Sequence, residues 1–293
     1  MSTSMGEVRK TTPASTLRSV WNHHLLFASL RSFLRHDGLT SSAALAFYFL
    51  MSLLPFLIFL ASALALLPIP HVATRMVRLV SHFVPGETMP IVQTLLSATM
   101  HTSNSLLSIG FVLAVIAASN AVATTSSALD IIYESANKRS FWGGRLQAIG
   151  VTFLVGGMIA ISVSVMLVGP HFGRELARVF DVSNLFVVIW PVLRYFLAIS
   201  CALVTIEVLY YLGPSRKHTL REQLPGSVFA VAVWIVSSAA LGIYLRRFSS
   251  LNAMYGTLAS FIVLMLWLQI TAAALLLGAE LNVQLAKLKG LMT

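Results

Sequence analysis

One uncharged run constrains this chain more than any other feature. The stretch from Tyr255 to Asn282, YGTLASFIVLMLWLQITAAALLLGAELN, carries no formal charge from Gly256 to Ala279 and then places a carboxylate at Glu280. An α-helix rises about 1.5 Å per residue, so about 20 apolar residues cross the roughly 30 Å hydrocarbon core of a bilayer. The stretch therefore predicts a membrane-spanning helix, and it raises the question of why so apolar a run ends on an acid.

The composition of the 293-residue chain indicates several such helices. Hydrophobic residues make up 57% of it and charged residues only 10%, whereas soluble domains carry about 25% charged residues. The sequence therefore predicts an all-α integral membrane protein. The net charge of +10 then favours basic loops on anionic lipid over a nucleic-acid interface. The single cysteine, Cys201, excludes an intrachain disulfide.

Six apolar runs are long enough to cross a membrane, and we predict one six-span domain over 36–285. The predicted spans are about 41–66, 106–129, 146–169, 185–212, 226–245 and 256–281. Each must be helical, because lipid offers no partner to a free backbone N–H or C=O. In the third span, Gly156 and Gly157 predict close packing against a neighbouring helix.

The distribution of Lys and Arg predicts the orientation of the spans. Basic residues are concentrated before the first span, after the second and fourth spans, and in the tail. By the positive-inside rule both termini are cytoplasmic. Residues 1–35 are thus expected to form a basic cytoplasmic segment without a cleaved signal peptide, and residues 286–293 a cytoplasmic tail.

The segment between the first two spans, 67–105, is too long for a simple turn. In HVATRMVRLVSHFV, His71, Arg75, Arg78 and His82 recur at helical spacing, with apolar residues on the opposite side. A second amphipathic stretch follows at about 89–101. We therefore predict an amphipathic helical pair over about 71–101, at the outer membrane surface or packed over the bundle.

Polar residues inside the second span form a stripe that has two interpretations. Asn120, Thr124, Ser127, Asp130 and Glu134 recur at roughly helical spacing, and the stripe ends on two carboxylates. Because polar groups are costly in a bilayer, the first interpretation is the wall of a water-filled path. The second, which is the commoner role of Ser, Thr and Asn in spans, is hydrogen bonding between helices.

Three acids are predicted to share one depth at the cytoplasmic end of the spans. Asp130, Glu207 and Glu280 stand near the ends of the second, fourth and sixth spans, and Arg145 opens the third at a similar level. We expect acids of three helices to meet basic residues there. The cluster is either a knot of structural ion pairs or a gate or site for a cation or a headgroup. Arg194 needs a separate partner, because it lies about 20 Å from Glu207 along the same helix.

No motif for nucleotide, metal or nucleophilic chemistry occurs in the sequence. It contains neither GxxxxGK[ST] nor HExxH, and its eight histidines are scattered. RNA-binding signatures are also missing. We therefore expect no cofactor, no metal site, no nucleic-acid partner and no enzymatic activity.

Five segments resemble the YihY/BrkB family of bacterial inner-membrane proteins. They are HDGLTSSAALAFYFLMSLLPFLIF (36–59), ALDIIYESANKRSFWGGR (128–145), YYLGPSRKHTLREQLPG (210–226), IYLRRFSSLNAMYGTLAS (243–260) and LWLQITAAALLLGAELN (266–282). The chain departs from the family pattern at Asp130, where Asn is usual, and at Ser215, where the family has Pro-Asn-Arg. The resemblance implies six spans with cytoplasmic termini in the inner membrane.

The same resemblance implies a function in transport. The family was once labelled ribonuclease BN, a label that no acidic or histidine cluster of this chain supports, and transport, including that of envelope lipids, has been proposed for members. We therefore expect a transporter or flippase of an envelope lipid or a small solute. The alternative is a non-transporting structural or partner-binding membrane protein, in which the acids are fully paired. Membrane lipids are the expected partners, and the amphipathic pair would also suit a contact within a homo-oligomer.

Overall fold

The computed structural model describes residues 24–65, 104–135, 140–180, 183–216, 219–247 and 257–290. Within these ranges the chain forms seven α-helices and no strand. The helices are α1 His24–Arg35, α2 Gly38–Ala65, α3 Asn104–Ile132, α4 Phe141–Phe180, α5 Ser183–Leu212, α6 Leu220–Arg247 and α7 Thr257–Leu288. The predicted all-α class is confirmed over this part of the chain. The amphipathic pair predicted at about 71–101 lies outside it.

Five helices in the described ranges are long and apolar enough to cross a membrane. Their apolar parts are Ser108–Ile132, Trp142–Ser162, Val192–Leu212, Leu220–Leu245 and Leu258–Leu288. The first predicted span falls on α2, of which Gly38–Leu53 forms a shorter apolar helix. The chain is therefore a multi-pass helical membrane protein, and the count of six spans stays a prediction.

A reciprocal pair of hydrogen bonds between Thr219 and Glu222 starts α6 ahead of the apolar run at 226. The Thr219 N–H donates to the Glu222 carboxylate, and the Glu222 N–H donates to the Thr219 carbonyl. This reciprocal pair satisfies two backbone groups that a helix start leaves free. The helix consequently begins at Leu220 and brings several polar residues into its first turns.

Helix α4 is longer than a membrane crossing requires. It begins after Ser140, whose hydroxyl caps it by accepting the Gly143 N–H at 3.2 Å. Its 40 residues extend for about 60 Å, about twice the thickness of the hydrocarbon core. The helix therefore continues beyond both ends of the span predicted at 146–169.

The six long helices close into a ring in chain order. Each of α2 to α6 packs against the helix that follows it, and α7 packs back against α2. Helix α7 also contacts α1 and α3, and it buries the largest share of its apolar part among the five membrane-crossing candidates. The helix that carries the uncharged run ending at Glu280 is thus the one that buries most of its apolar part among these five.

Neighbouring helices run in opposite directions, so one end of the bundle collects the starts of α2, α4 and α6 and the ends of α3, α5 and α7. The Gln147 amide near the start of α4 donates to the Leu212 carbonyl at the end of α5. The Gly226 N–H near the start of α6 donates to Asn282 near the end of α7. We call this end of the bundle the polar end, because polar side chains gather there.

The apolar core lies at the polar end and along α7, while much of the outer surface is apolar and exposed. Leu129, Tyr210 and Leu276 are fully buried in one cluster that joins α3, α5 and α7. Phe153 and Phe196, on α4 and α5, are exposed. A large exposed apolar surface on helices of this length suits contact with lipid.

Helix α1 was not predicted, since residues 1–35 were interpreted as a polar segment. Leu25 packs against Leu281 and Leu285 of α7, and Phe33 is buried in the main core. The spacing of these apolar residues by eight positions is compatible with one face of a helix. The segment before the first span thus contributes to the bundle.

A pair of glycines lets α6 and α7 approach closely. A Cβ at Gly226 would collide with the Gly278 carbonyl oxygen, and a Cβ at Gly278 would meet the Tyr210 hydroxyl and, at 2.5 Å, the Gly226 carbonyl oxygen. At Gly156 and Gly157 a Cβ would meet no atom of the described chain within 4 Å. The close packing predicted for these two glycines is therefore not found there.

We predict that Gly226→Ala and Gly278→Ala each lower the unfolding temperature of the detergent-solubilised protein. Overpacking at such a contact costs about 1–3 kcal/mol, more than the roughly 1 kcal/mol that Ala gains over Gly in a helix. Tryptophan fluorescence during heating measures the effect. Gly156→Ala is the matched control and should leave stability unchanged or raise it. Unfolding of the 226 and 278 variants at the wild-type temperature would contradict the prediction.

Candidate functional site

The acid that ends the long apolar run pairs with a histidine. Glu280 is 0% exposed, and its Oε1 lies 2.7 Å from Nδ1 of His36. Its second oxygen, Oε2, is buried and has no hydrogen-bond partner among the described residues. Because a buried carboxylate is costly without a partner, the His36 contact helps to accommodate the acid that ends the uncharged run of α7.

The turn between α1 and α2 places His36 against α7. Asp37 has a left-handed backbone with a φ of 51°, a conformation that Asp tolerates better than most residues. The His36 N–H donates to the Ser32 carbonyl at the end of α1, and the Ser41 N–H donates to the Asp37 carbonyl at the start of α2. His36 itself is 27% exposed, so it connects the buried acid with the surface of the polar end.

Asn282, two residues after Glu280, joins α7 to α6 and α3. Its Oδ1 accepts the Gly226 N–H at 2.7 Å, and its Nδ2 donates to the carbonyl oxygen of Gln223 at 2.9 Å and to Oε1 of Gln223 at 3.0 Å. The Tyr133 hydroxyl, just after α3, also donates to Oε1 of Gln223. Burial raises the pKa of the Tyr133 phenol above its ordinary value, so it stays a neutral donor.

Glu207, near the end of α5, is a second half-paired acid. One of its oxygens accepts the hydroxyl of Ser227 on α6. The other, Oε1, is buried without a hydrogen-bond partner in the described ranges. The charges of both Glu207 and Glu280 contribute to the raised pKa of Tyr133. The two acids therefore lie within electrostatic reach of the same phenol.

Asp130 is fully paired and fastens the turn between α5 and α6. Its Oδ1 accepts the Ser215 N–H at 2.6 Å, and its Oδ2 accepts the Ser215 hydroxyl at 3.0 Å. These are the two positions at which the chain departs from the family pattern, and the structure brings them into contact. Asp130 thus has a structural partner on both oxygens.

Glu134 lies beyond the end of α3, although its spacing in the sequence predicted that it would continue the polar stripe of that helix. Helix α3 ends at Ile132, and Glu134 takes a left-handed conformation with a φ of 49°. Backbone bonds from Glu134 to Ile131 and from Ser135 to Asp130 close the helix end. The carboxylate of Glu134 accepts a hydrogen bond from Lys287 Nζ at 2.8 Å, which holds the pKa of Glu134 below its ordinary value.

The remaining stripe residues, Asn120, Thr124 and Ser127, do not pair with acids among the described residues. Asn120 Oδ1 accepts a hydrogen bond at 2.6 Å from Nη1 of Arg145 on α4, and Arg145 forms no ion pair with an acid in the described ranges. The hydroxyls of Thr124 and Ser127 donate to the Asn120 and Ala123 carbonyls of their own helix. The stripe therefore reaches α4 through Asn120 and the α5–α6 turn through Asp130.

Arg194 lies apart from the polar end. Its Nε is buried without a hydrogen-bond partner among the described residues, and its guanidinium lies 5.5 Å from the ring centroid of Tyr195. The distance to Glu207 along α5 is about 20 Å. Arg194 and the polar-end acids do not form one site in this arrangement.

Five polar-end residues were missed when the sequence was analysed. They are His36, Tyr133, Gln223, Ser227 and Asn282. Formal charge within the spans does not mark them, because four of these groups are uncharged. Position is the signal that identifies them, because each lies within about two turns of a helix end at the polar end.

The architecture defines a multi-pass helical membrane protein with a buried polar network at one end. The family model described as virulence factor BrkB matches residues 29–290, so the chain belongs to the BrkB family. The family identified from the five sequence segments is thereby confirmed. No solved structure matches the chain.

Several bacterial proteins are similar over most of the chain. The ribonuclease-like protein YfkH of Bacillus subtilis (strain 168) is 34% identical over 261 residues, which are 87% of this chain and 93% of YfkH. A UPF0761 membrane protein of Aliivibrio salmonicida is 25% identical over 277 residues, 93% of this chain and 86% of the relative. A UPF0761 membrane protein of Tolumonas auensis is 28% identical over 257 residues, with 86% and 82% covered.

We predict that Asn282→Ala destabilises the protein by about 1–3 kcal/mol, since it leaves the buried Gly226 N–H and the Gln223 carbonyl without their partner. Thermal unfolding of the solubilised protein measures the change. Gln284→Ala, two residues further along α7, is the matched control and should have little effect. Equal stability of the two variants would show that the amide of Asn282 does not hold α6 and α7 together.

Proposed function

We propose that the chain is a transporter or flippase that moves an envelope lipid or a small solute through the helical bundle. The observation that best supports this is that Glu207 and Glu280 each keep one buried carboxylate oxygen without a hydrogen-bond partner among the described residues. A residue that only joins helices is expected to pair both oxygens, as Asp130 does with Ser215. Half-paired acids are costly inside a bundle, and they retain the capacity to bind a donor.

The chemistry of the site favours a substrate that donates hydrogen bonds. Carboxylate oxygens are acceptors, and charge-assisted bonds to them are the strong ones. An ammonium group or a set of hydroxyls satisfies this requirement, and both occur in lipid headgroups. The Ser227 hydroxyl beside Glu207 adds a neutral polar contact. We therefore place ethanolamine-type and polyol headgroups first among the substrates to be tested.

A non-transporting structural or partner-binding role is the second candidate. It is favoured by the pairs that are already complete, namely Asp130 with Ser215 and Arg145 with Asn120. In that case the polar end is a fastening, and no substrate crosses the membrane. The two half-paired acids are the observation that this role leaves unexplained.

We also propose that the chain is not a ribonuclease, although the name of the relative YfkH describes that protein as ribonuclease-like. Glu280 is 0% exposed and lies within the membrane-crossing stretch Leu258–Leu288. A buried acid in that position is out of reach of an RNA backbone, which cannot enter an apolar bundle. The reconstituted protein should leave a tRNA substrate uncut.

We predict that the purified protein, reconstituted in vesicles of phosphatidylethanolamine and phosphatidylglycerol, moves acyl-labelled fluorescent phosphatidylethanolamine between leaflets. Dithionite quenches only the label in the outer leaflet, so a quenched fraction larger than the outer-leaflet fraction measures movement between the leaflets. Glu207→Gln should slow the movement about tenfold or more, because a charged acceptor is worth about 1.5–3 kcal/mol. Glu222→Gln, a capping acid outside the network, is the matched control. Absence of movement for labelled phosphatidylethanolamine and phosphatidylglycerol would favour the structural role.

We further propose that the protein resides in the bacterial inner membrane with both termini in the cytoplasm, as the distribution of Lys and Arg indicates. Green fluorescent protein fused after residue 293 should then fluoresce, and alkaline phosphatase fused there should be inactive. The same outcome is expected for fusions at the amino terminus. An active phosphatase at either end would contradict the proposed orientation.

A further inference from the structure

We propose that His36 and Glu280 form a proton-binding site that couples the transport cycle to the pH on the aqueous side of the polar end. The inference rests on the transport function proposed above and names its coupling ion. Three observations support it. The acid is wholly buried, a titratable ring lies 2.7 Å from one of its oxygens, and its other oxygen has no hydrogen-bond partner in the described ranges.

The proton balance of the pair is simple. At net neutral charge His36 and Glu280 share one proton, carried either by the imidazole or by the carboxylate. A second proton can form an O–H bond at Oε2 of Glu280, the buried oxygen without a described partner. Glu280 is then a neutral acid and His36 a cation, so the ion pair is lost. One proton enters from water, and the same proton leaves in the reverse step.

Side-chain exposure decreases along a route from the surface to the acid. The carboxylate of Glu134 is 45% exposed, His36 is 27% exposed, and Glu280 is 0% exposed. Glu134 lies near His36, since the charge of the ring contributes to the lowered pKa of Glu134. Protons from water can therefore reach the ring at the surface and pass from its Nδ1 to Oε1 of the buried carboxylate. A half-turn of the carboxyl group then exchanges the positions of its two oxygens, and the ring takes up the next proton from water.

The groups around the pair leave His36 as the cation that contacts Glu280. The elements that pack against α7 carry further charged or titratable groups at this end, namely Arg31 and Arg35 on α1, Asp37 in the α1–α2 turn, Tyr133 and Glu134 after α3, and Arg221 and Glu222 on α6. Within the described residues, the ion-pair partner of Glu280 is His36. Helix α2 contains no Asp, Glu, Lys, Arg or His. Lys287, on α7 itself, bonds to Glu134. Tyr133 stays neutral, and Glu207 is a second acid within electrostatic reach of the phenol.

Protonation of Glu280 loosens the α1–α2 turn from α7. The ion pair is the polar contact between that turn and Glu280, and once the acid is neutral the imidazolium loses its opposite charge and can keep at most a hydrogen bond to it. Helix α1 stays attached through Leu25, which packs on Leu281 and Leu285. The turn that begins α2 is thereby released, so a proton opens the polar end between α2 and α7.

The first arm of the test measures the proton directly. Infrared difference spectra between high and low pH, recorded on the full chain in phosphatidylethanolamine and phosphatidylglycerol vesicles, should show the C=O stretch of a protonated carboxylic acid. Glu280→Gln should remove that band, whereas Glu222→Gln should retain it. His36→Gln should keep the band and move its midpoint to higher pH, because the carboxylate loses its cation. An unchanged band in Glu280→Gln overturns the inference, and unchanged midpoints in His36→Gln do so as well.

The second arm measures the pH dependence of lipid movement in the same vesicles. For the wild-type protein the rate should rise as the pH falls, by at most about tenfold per pH unit for one titrating group. The ratio of rates between two pH values should approach one in Glu280→Gln and stay at the wild-type value in Glu222→Gln. Movement that keeps its pH dependence in Glu280→Gln overturns the inference but leaves the transport function standing. A Glu280-dependent band without any lipid movement supports the proton site and removes the proposed transport of this lipid.

Discussion

Lipid offers no hydrogen bonds, so the polar side chains at the buried end of α7 can be accommodated only by partners on other elements. Asn282 takes its partners from α6, and Glu280 takes His36 from the α1–α2 turn. Apolar side chains gain little by packing on one another rather than on lipid. The packing of the other helices against α7 therefore depends on these polar contacts, together with the close approach at Gly226 and Gly278.

The sequence predicted the elements better than it predicted their partners. Length and lack of charge were enough to locate the five helices that are long and apolar enough to cross a membrane, because a bilayer imposes both requirements. The depth of Asp130, Glu207 and Glu280 followed from alternating helix directions. Their partners did not follow, since backbone conformation outside the regular helices decides them. A left-handed Asp37 brings His36 to α7, and a left-handed Glu134 removes that residue from the helical stripe.

The contacts between helices were also not predictable from the sequence alone. A pair of glycines within one span predicts close packing, but which helix comes close depends on the whole ring, and the contact occurs where Gly226 of α6 meets Gly278 of α7. The sequence also did not predict the pairing of Asp130 with Ser215, although both positions depart from the family motifs that the chain resembles. A carboxylate offers two acceptors, and Ser215 supplies an N–H and a hydroxyl to them. The two departures are therefore complementary, and together they keep the α5–α6 turn attached to α3.

The acids of the polar end differ in how completely their carboxylate oxygens are paired. We interpret complete pairing as a structural role and incomplete pairing as a functional one. Asp130 has a donor on both oxygens, which is what a fastening requires. Glu280 is more deeply buried, yet one of its oxygens has no described partner. A buried ion pair is a poor stabiliser, because well-packed apolar residues of similar volume are often as good or better. Stability alone is thus a weak reason for a buried acid in so apolar a helix, and a role that uses its charge or its proton is the stronger one.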